Sequence, residues 1–323
     1  MKLRERVFLF VWTAMPGRVA TTLARFLQVL FRKNRRAESA VNGTPELRDN
    51  DEPRSRRSPP LKLYWWRPAL GGFRNFGDEL SPLLVERLFG RSCIWAPPET
   101  CDAVVIGSVL EKVCATRRQS PPLVWGAGFI GDGFDVPNPA VSIAAVRGLL
   151  TAKRFGREGS AITGDPGLLC SELLDRPPYK RFEVGIVLHH AHCKFDAAAL
   201  FSADVTELCT VDVTLPPMQV IQTIAACETV FSTSLHGLVV ADSLGIPNQW
   251  IKLPKRLFGG DYKFHDYYSS FDGDGPQSLE VDYRRKIDRQ MLSRVRDLYS
   301  RPGREHIRQN LLASFPECLL SAL

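Results

Sequence analysis

The sequence predicts an α/β protein built from two Rossmann-like parallel-sheet domains that face a cleft, and three observations carry that expectation. Short apolar runs alternate with helix-like stretches from Leu61 onward. The series is interrupted at Arg176-Pro177-Pro178 and then begins again. The chain has 323 residues, more than the roughly 100–200 of one domain. Strand–helix alternation means right-handed βαβ units and parallel sheets. A hydrophobic fraction of 44% and a charged fraction of 24% are those of a globular chain. They exclude wholesale disorder, collagen and coiled coil.

Taken in order, residues 1–36 form a basic amphipathic arm. They hold nine Lys/Arg and one Glu, against 33 Lys/Arg and 34 Asp/Glu in the rest. The net charge of +7 therefore sits on the arm, and a near-neutral body argues against nucleic acid as a partner. Phe8, Phe10, Trp12, Phe26 and Phe31 stand among arginines and suit a helix lying in an anionic membrane interface. The alternative is a pair of amphipathic helices packed on the body, or a dispensable extension. No apolar run reaches the ~20 residues of a spanning helix. The N-terminal segment has no convincing small-residue cleavage site. Residues 37–60, polar and rich in Pro, Arg and Ser, read as a disordered linker.

The first Rossmann-like domain spans 61–178. Its expected strands are 61–66, 93–95, 103–107, 123–125, 142–146 and 161–163, with helices over 79–89 and 149–155. The second spans 179–282, with strands over 184–188, 205–211, 230–232 and 249–251 and helices over 217–227 and 238–244. Residues 283–323 are helical apart from Arg301-Pro302-Gly303, and are expected to pack back across the domains. The eight cysteines are scattered without a CxxC pair, which fits reduced thiols in the cytoplasm rather than a zinc ribbon.

Ligands of parallel sheets bind beyond the carboxyl ends of strands, so the loops there are the candidate site. Asn75-Phe76-Gly77-Asp78-Glu79 follows the first strand. Its two acids suit neutral hydroxyls and read as an acceptor site, with plain helix capping as the alternative. Gly107-Ser108 and Trp125-Gly126-Ala127-Gly128 let a ligand or another backbone approach, or make tight turns. Arg147-Gly148 ends an Ala-rich strand. Its guanidinium would clamp a carboxylate or phosphate, or pair with a carboxylate of the protein. Ser232-Thr233-Ser234-Leu235-His236-Gly237 is a strand–turn–helix junction whose first amides suit an anion. A bound anion would keep His236 protonated as a donor; a structural histidine is the alternative. His189-His190-Ala191-His192 places one histidine toward the cleft rather than forming a metal site. Lys252, Lys255, Arg256 and Lys263 form either a solvated loop or an anion gate.

These residues resemble a known family. Ser232-Thr-Ser-Leu-His-Gly-Leu-Val-Val-Ala-Asp-Ser-Leu-Gly-Ile-Pro, followed by Lys263-Phe-His-Asp-Tyr-Tyr, resembles the polysaccharide pyruvyl transferases of the succinoglycan type. So do Asn75-Phe-Gly-Asp-Glu-Leu, Val146-Arg-Gly and Gly164-Asp165-Pro166. The resemblance implies a GT-B-like pair of domains, phosphoenolpyruvate as co-substrate with no further cofactor, and a sugar or lipid-linked oligosaccharide acceptor. It implies donor binding by Arg147 and His236, and the loops beside them add Ser232, Ser234, Leu235, Gly237, His189 and Lys263 as expected donor contacts. It implies acceptor binding by Asn75, Gly77, Asp78 and Glu79. Catalysis would fall to His236, Asp78 and Glu79, without a metal. Many members carry an Arg two residues before the histidine, where this chain has Ser234; Lys255, Arg256 or Lys263 would substitute. Such a protein would work in the cytoplasm, at the inner face of the membrane. A nucleotide-sugar glycosyltransferase on the same frame, and a non-catalytic membrane-docked assembly protein, are the other readings.

Overall fold

The structure is a computed structural model that describes residues 59–68, 74–133, 140–176, 178–273 and 275–320. The arm 1–36, nearly all of the linker 37–60, the glycine-rich start of the first loop at 71–73 and Pro177 of the interruption lie outside the described residues.

Two all-parallel sheets are present. The first contains β1 (Leu61–Leu63), β2 (Cys93–Trp95), β3 (Ala103–Val104), β4 (Leu123–Trp125), β5 (Ser142–Val146) and β6 (Ile162–Thr163), in the order β2-β1-β3-β4-β5-β6. The second contains β7 (Phe182–Val187), β8 (Leu208–Thr210), β9 (Cys227–Ser232), β10 (Asn248–Lys252) and β11 (Leu279–Glu280), in the order β11-β10-β9-β7-β8. In each sheet the chain leaves one strand to one side and returns on the other. This happens around β1 and β3 in the first sheet and around β7 and β9 in the second. Such reversals open a crevice at the carboxyl ends of the strands. The loops after β1, β3, β7 and β9 therefore occupy the ligand-binding position of the architecture.

The helices are α1 (Phe76–Phe89), α2 (Leu110–Ala115), α3 (Leu149–Arg154), α4 (Pro217–Ala225), α5 (Leu235–Ser243), α6 (Tyr262–Tyr268), α7 (Arg289–Leu298), α8 (Arg304–Ser314) and α9 (Glu317–Leu320). Pro166–Leu173 is a 3-10 segment. Several bounds differ from expectation. β1 and β3 are shorter than 61–66 and 103–107, because the chain turns out of the ladder early; Gly107 takes a left-handed φ of 106°. α1 begins at Phe76, so the acids lie in its first turn, with the Asn75 carbonyl accepting from the amides of Asp78 and Glu79 at 3.1 and 3.2 Å. It stops at Gly90, whose left-handed φ of 65° suits a residue without Cβ. α6 was expected as part of a basic loop. Its aromatic composition is a weak helix former, but Phe264, Tyr267 and Tyr268 are buried, so packing decides.

Both sheets share one compact unit. A single apolar core contains Leu63 and Trp125 from the first sheet and Val230 and Trp250 from the second, joined by Leu80 and Leu84 of α1, Leu238 and Val239 of α5, and Leu311 of α8. Every residue of α5 is buried, its polar side chains His236, Asp242 and Ser243 included. α8 reaches the first sheet: the Trp125 indole donates to the Leu311 carbonyl at 3.1 Å, and Ile307 and Leu311 fill the space beside Gly164. Among the described residues no helix is long and apolar enough to cross a membrane.

Candidate active site

The β9–α5 junction is held by its own hydroxyls. Ser232 Oγ lies 2.9 Å from the Val187 carbonyl and 2.8 Å from that of Ser234, and accepts from the Ser234 amide at 2.9 Å. Thr233 Oγ1 accepts from the His189 amide at 2.8 Å and meets His192 Nδ1 at 2.9 Å. Ser232, expected to hold a donor, ties the ends of β7 and β9 together. Gly237 is also a packing residue, since a Cβ there would lie 2.5 Å from Ser232 Oγ. Leu235 is buried in the apolar core. Ser234 stands at the N-cap with no side-chain capping bond.

His236, 8% exposed, sits in the first turn of α5 against the start of α1. A Cβ on Gly77 would come within 2.0 Å of its Nδ1, so the glycine is what lets the imidazole reach this position. Phe76 meets the ring edge-on at 6.5 Å. On the other side, Nε2 faces Asp165 Oδ2 at 3.9 Å. Both atoms are shut from solvent and have no hydrogen-bond partner. Burial, then the positive charges of Lys263 and Arg147, push the His236 pKa down to about 3.

Lys263 of α6 is the cation of this cluster. Burial and the nearby Arg147 lower its pKa to about 8, opposed by Asp78. Its ammonium makes no hydrogen bond or ion pair among the described residues and lies 5.4 Å from the Phe264 ring centroid. Asp78 lies behind it. Burial raises this carboxyl to about 7, opposed by a hydrogen bond from Asn75 Nδ2 at 2.7 Å and by Lys263, and reinforced by Glu79. Glu79 itself turns away to accept from the Trp65 indole at 3.2 Å, with Arg67 at 3.8 Å.

Arg147 behaves differently from the expected clamp. It is fully buried, and its fork is occupied by the protein. Nε donates to Asp266 Oδ2 at 2.9 Å, and its two terminal nitrogens donate to Ser108 Oγ and the Phe129 carbonyl at 2.6 Å. Asp266 also accepts from the amide and hydroxyl of Thr151, both at 2.7 Å. Gly128, expected to let a ligand or another backbone approach, and Gly148 both make room for this cluster. A Cβ at Gly128 would meet the Arg147 guanidinium at 2.5 Å, and one at Gly148 the Asp266 carbonyl at 1.6 Å. Of the two alternatives for Arg147, pairing with a protein carboxylate is the one found.

His189 follows β7 and accepts from the Ala191 amide through Nδ1 at 3.1 Å. Burial, then Lys263, drives its pKa to about 2. His190 stacks on Trp66, centroids 6.1 Å apart, and so joins the ends of β7 and β1. His192 bridges Thr233 and the Lys255 carbonyl. Lys255 is held by the Ala191 carbonyl at 2.9 Å and Arg256 is exposed, so Lys263 is the candidate substitute that the fold brings into the cluster. No three His, Cys, Asp or Glu side chains converge as metal ligands among the described residues. Two surface cavities, one beside Ser160 and His306 and one beside Arg87 and Arg181, are lined by other residues. Asp165 and Asp266 were missed as site residues in the sequence; their partners lie 71 and 119 positions away.

Comparison with known proteins bears on what this cluster does. The profile of the polysaccharide pyruvyl transferase family matches residues 26–252. The match ends before α6, which carries Lys263 and Asp266. The chain is 32% identical over 207 residues to the uncharacterized protein L143 of Acanthamoeba polyphaga mimivirus, covering 61% of this chain and 71% of that one. It is 29% identical over 233 residues to the succinoglycan biosynthesis protein ExoV of Rhizobium meliloti (strain 1021), covering 69% of this chain and 66% of that one.

Proposed function

The chain belongs to the polysaccharide pyruvyl transferase family, and on that premise we propose that it transfers pyruvate from phosphoenolpyruvate onto two hydroxyls of a sugar, in a polysaccharide or its lipid-linked repeat unit, to form a ketal. The observation that carries this reading is the unpaired cationic side of the cluster. Lys263 has no hydrogen bond, and His189 and His236 are held neutral by burial and by its charge. An anion bearing a carboxylate and a phosphate would reverse that penalty. It would pair with Lys263, raise the histidine pKa values and accept from the first amides of α5. Lys263 then supplies the charge that the Arg missing at Ser234 would have given. Arg147, held by Asp266, contributes its field rather than its fork.

The chemistry follows from these positions. His236 gives a proton to the methylene carbon of the enolpyruvyl group, and the adjoining carbon becomes an oxocarbenium centre. A sugar hydroxyl attacks that centre and gives its proton to Asp78, whose raised pKa suits a general base near neutrality. The C–O bond to phosphate then breaks, phosphate leaving with the electron pair and taking the proton from Asp78, and the second hydroxyl closes the ketal and returns its proton to His236. Burial, reinforced by Glu79, keeps the Asp78 pKa high. The donor-side loops of the second sheet and the acceptor-side α1 would face across a GT-B-like cleft. Residues 1–36 would hold that cleft near a lipid-linked acceptor on the cytoplasmic face.

Incubation with phosphoenolpyruvate and a sugar acceptor, in parallel with nucleotide sugars, tests the reading. Acceptor-dependent release of inorganic phosphate is expected. Release of nucleotide without phosphate would instead make the protein a glycosyltransferase. Phosphoenolpyruvate at about 100 times its Kd should also raise stability by about 2.7 kcal/mol; no shift would remove it as the donor. For the arm, the full chain should bind anionic vesicles at low salt and a chain starting at Leu61 should not.

A further inference from the structure

Asp165 occupies the N-cap of the 3-10 segment that follows β6, and its two oxygens do different things. Oδ1 accepts from the Gly167 amide at 2.8 Å, which fixes the carboxylate rotamer. Oδ2 is thereby aimed at His236 Nε2, 3.9 Å away, just beyond hydrogen-bond length. Each of these two atoms is buried and without a partner, and each is the other's nearest opposite group. Buried polar atoms are almost always satisfied in folded proteins, so two that face one another mark a pair that closes on a proton. The opposite nitrogen, Nδ1, lies beside Gly77. It makes no hydrogen bond and is absent from the atoms shut off from solvent, so it is the nitrogen left to meet a ligand.

We propose that Asp165 is the positioning partner of His236, holding the Nε2 side of the ring so that the transferable proton resides on Nδ1. This inference rests on the reading of His236 as proton donor to the enolpyruvyl carbon, and it removes a difficulty in that reading. A lone imidazolium here is strongly disfavoured by burial and by Lys263 and Arg147. The pair, by contrast, can carry the Nδ1 proton while neutral overall, either as carboxylate with imidazolium or as carboxylic acid with neutral imidazole. When the Nδ1–H bond breaks and the methylene carbon takes the proton, the bonding electrons stay on Nδ1. The pair becomes a carboxylate bonded to Nε2–H, with one negative charge. The groups that face it are Arg147 from the end of β5, Lys263 and Asp266 from α6, His189 from the end of β7, and Asp78 next to Gly77 on α1. Two cations among them stabilise the charge that develops.

The test is 15N NMR of the His236 ring in the full chain across pH, for the wild type, Asp165→Asn and Asp165→Glu, together with kcat–pH profiles for pyruvyl transfer. Asparagine keeps the oxygen that caps the 3-10 segment but cannot ionise. In Asp165→Asn the Nδ1 midpoint should fall by about one to three pH units, and kcat should fall roughly 10²–10⁴-fold with little change in donor KM. Glutamate should restore part of both. An unchanged His236 midpoint in folded Asp165→Asn overturns the proposal. Should that variant not fold, the wild type alone decides: a midpoint as low as about 3 overturns the pair, and one near or above the ordinary ~6.5 supports it. A coupled midpoint in a protein that never consumes phosphoenolpyruvate would leave the pair standing and defeat the donor reading, so the two failures are distinct.

Discussion

Arg147 and Lys263 are two buried cations in each other's electrostatic field, and the fold treats them in opposite ways. Arg147 is closed: Asp266, Ser108 and a carbonyl take its donors, and Gly128 clears the space for it as Gly148 does for Asp266. Asp242 on α5 is likewise occupied, accepting from Asn248, Tyr267 and Tyr299 and ion-paired with Arg301. His236 and Asp165 are open, with buried polar atoms that the protein leaves unmatched, and the Lys263 ammonium beside them makes no hydrogen bond or ion pair among the described residues. Burial of charge is therefore a poor marker of function by itself. An unmatched buried charge carries a standing free-energy cost, and a ligand is what relieves it.

The largest expected difference between the two clusters is in turnover. His236→Gln keeps the side chain polar but removes the acid, and kcat should drop roughly 10²–10⁴-fold while phosphoenolpyruvate still protects the protein against heat. A near-normal kcat would move the proton donor elsewhere. On the closed side, Asp266→Ala leaves Arg147 uncompensated and should cost about 3–5 kcal/mol of stability, read as a lower denaturant midpoint. Lys263→Met should do the reverse: stability equal to or above wild type, and donor affinity weaker by about 1.5–3 kcal/mol, the worth of a charged hydrogen bond. If Lys263→Met unfolds the protein and leaves donor affinity intact, the distinction between closed and open clusters fails.

The smallest effect concerns pH. The folded Asp78 pKa of about 7 lies above its ordinary 3.8, so the native state binds the proton more tightly than the unfolded chain. Stability is then greatest at low pH with respect to this group, and is lost as pH rises through that window. Lys263, lowered from 10.5 to about 8, acts in the other direction: between those values the unfolded chain binds more protons and stability recovers as pH rises. Asp78→Asn should flatten the first slope, by on the order of 1 kcal/mol or more. A slope unchanged in Asp78→Asn would place the titration on another group.

Much of the fold was legible in local pattern. The apolar runs, the strand–turn–helix around His236 and the acids of α1 each announce themselves within a few residues. What was not legible depends on partners distant in the chain. Arg147 read equally as a ligand clamp or a paired residue, because Asp266 lies 119 positions on. Asp165 registered only as part of a three-residue motif, since nothing nearby says that a histidine from α5 comes to rest opposite it. Gly128 stands in a segment expected to let a ligand or another backbone approach; what approaches there is the Arg147 guanidinium, and at Gly77 and Gly148 it is His236 and Asp266. α6 escaped because packing, not propensity, makes it helical.

The return of α8 to the first sheet sets an order of events during synthesis. Trp125 finds its acceptor on Leu311, 186 residues later, and Gly164 is covered by Ile307 and Leu311 of the same helix. The first sheet, although complete in its strands by Thr163, keeps one flank of its core uncovered until residues 304–314 have left the ribosome. Contacts of such long separation slow folding and prolong the exposure of apolar surface. The amino-terminal half of the body is thus the part most in need of a chaperone while the chain is being made.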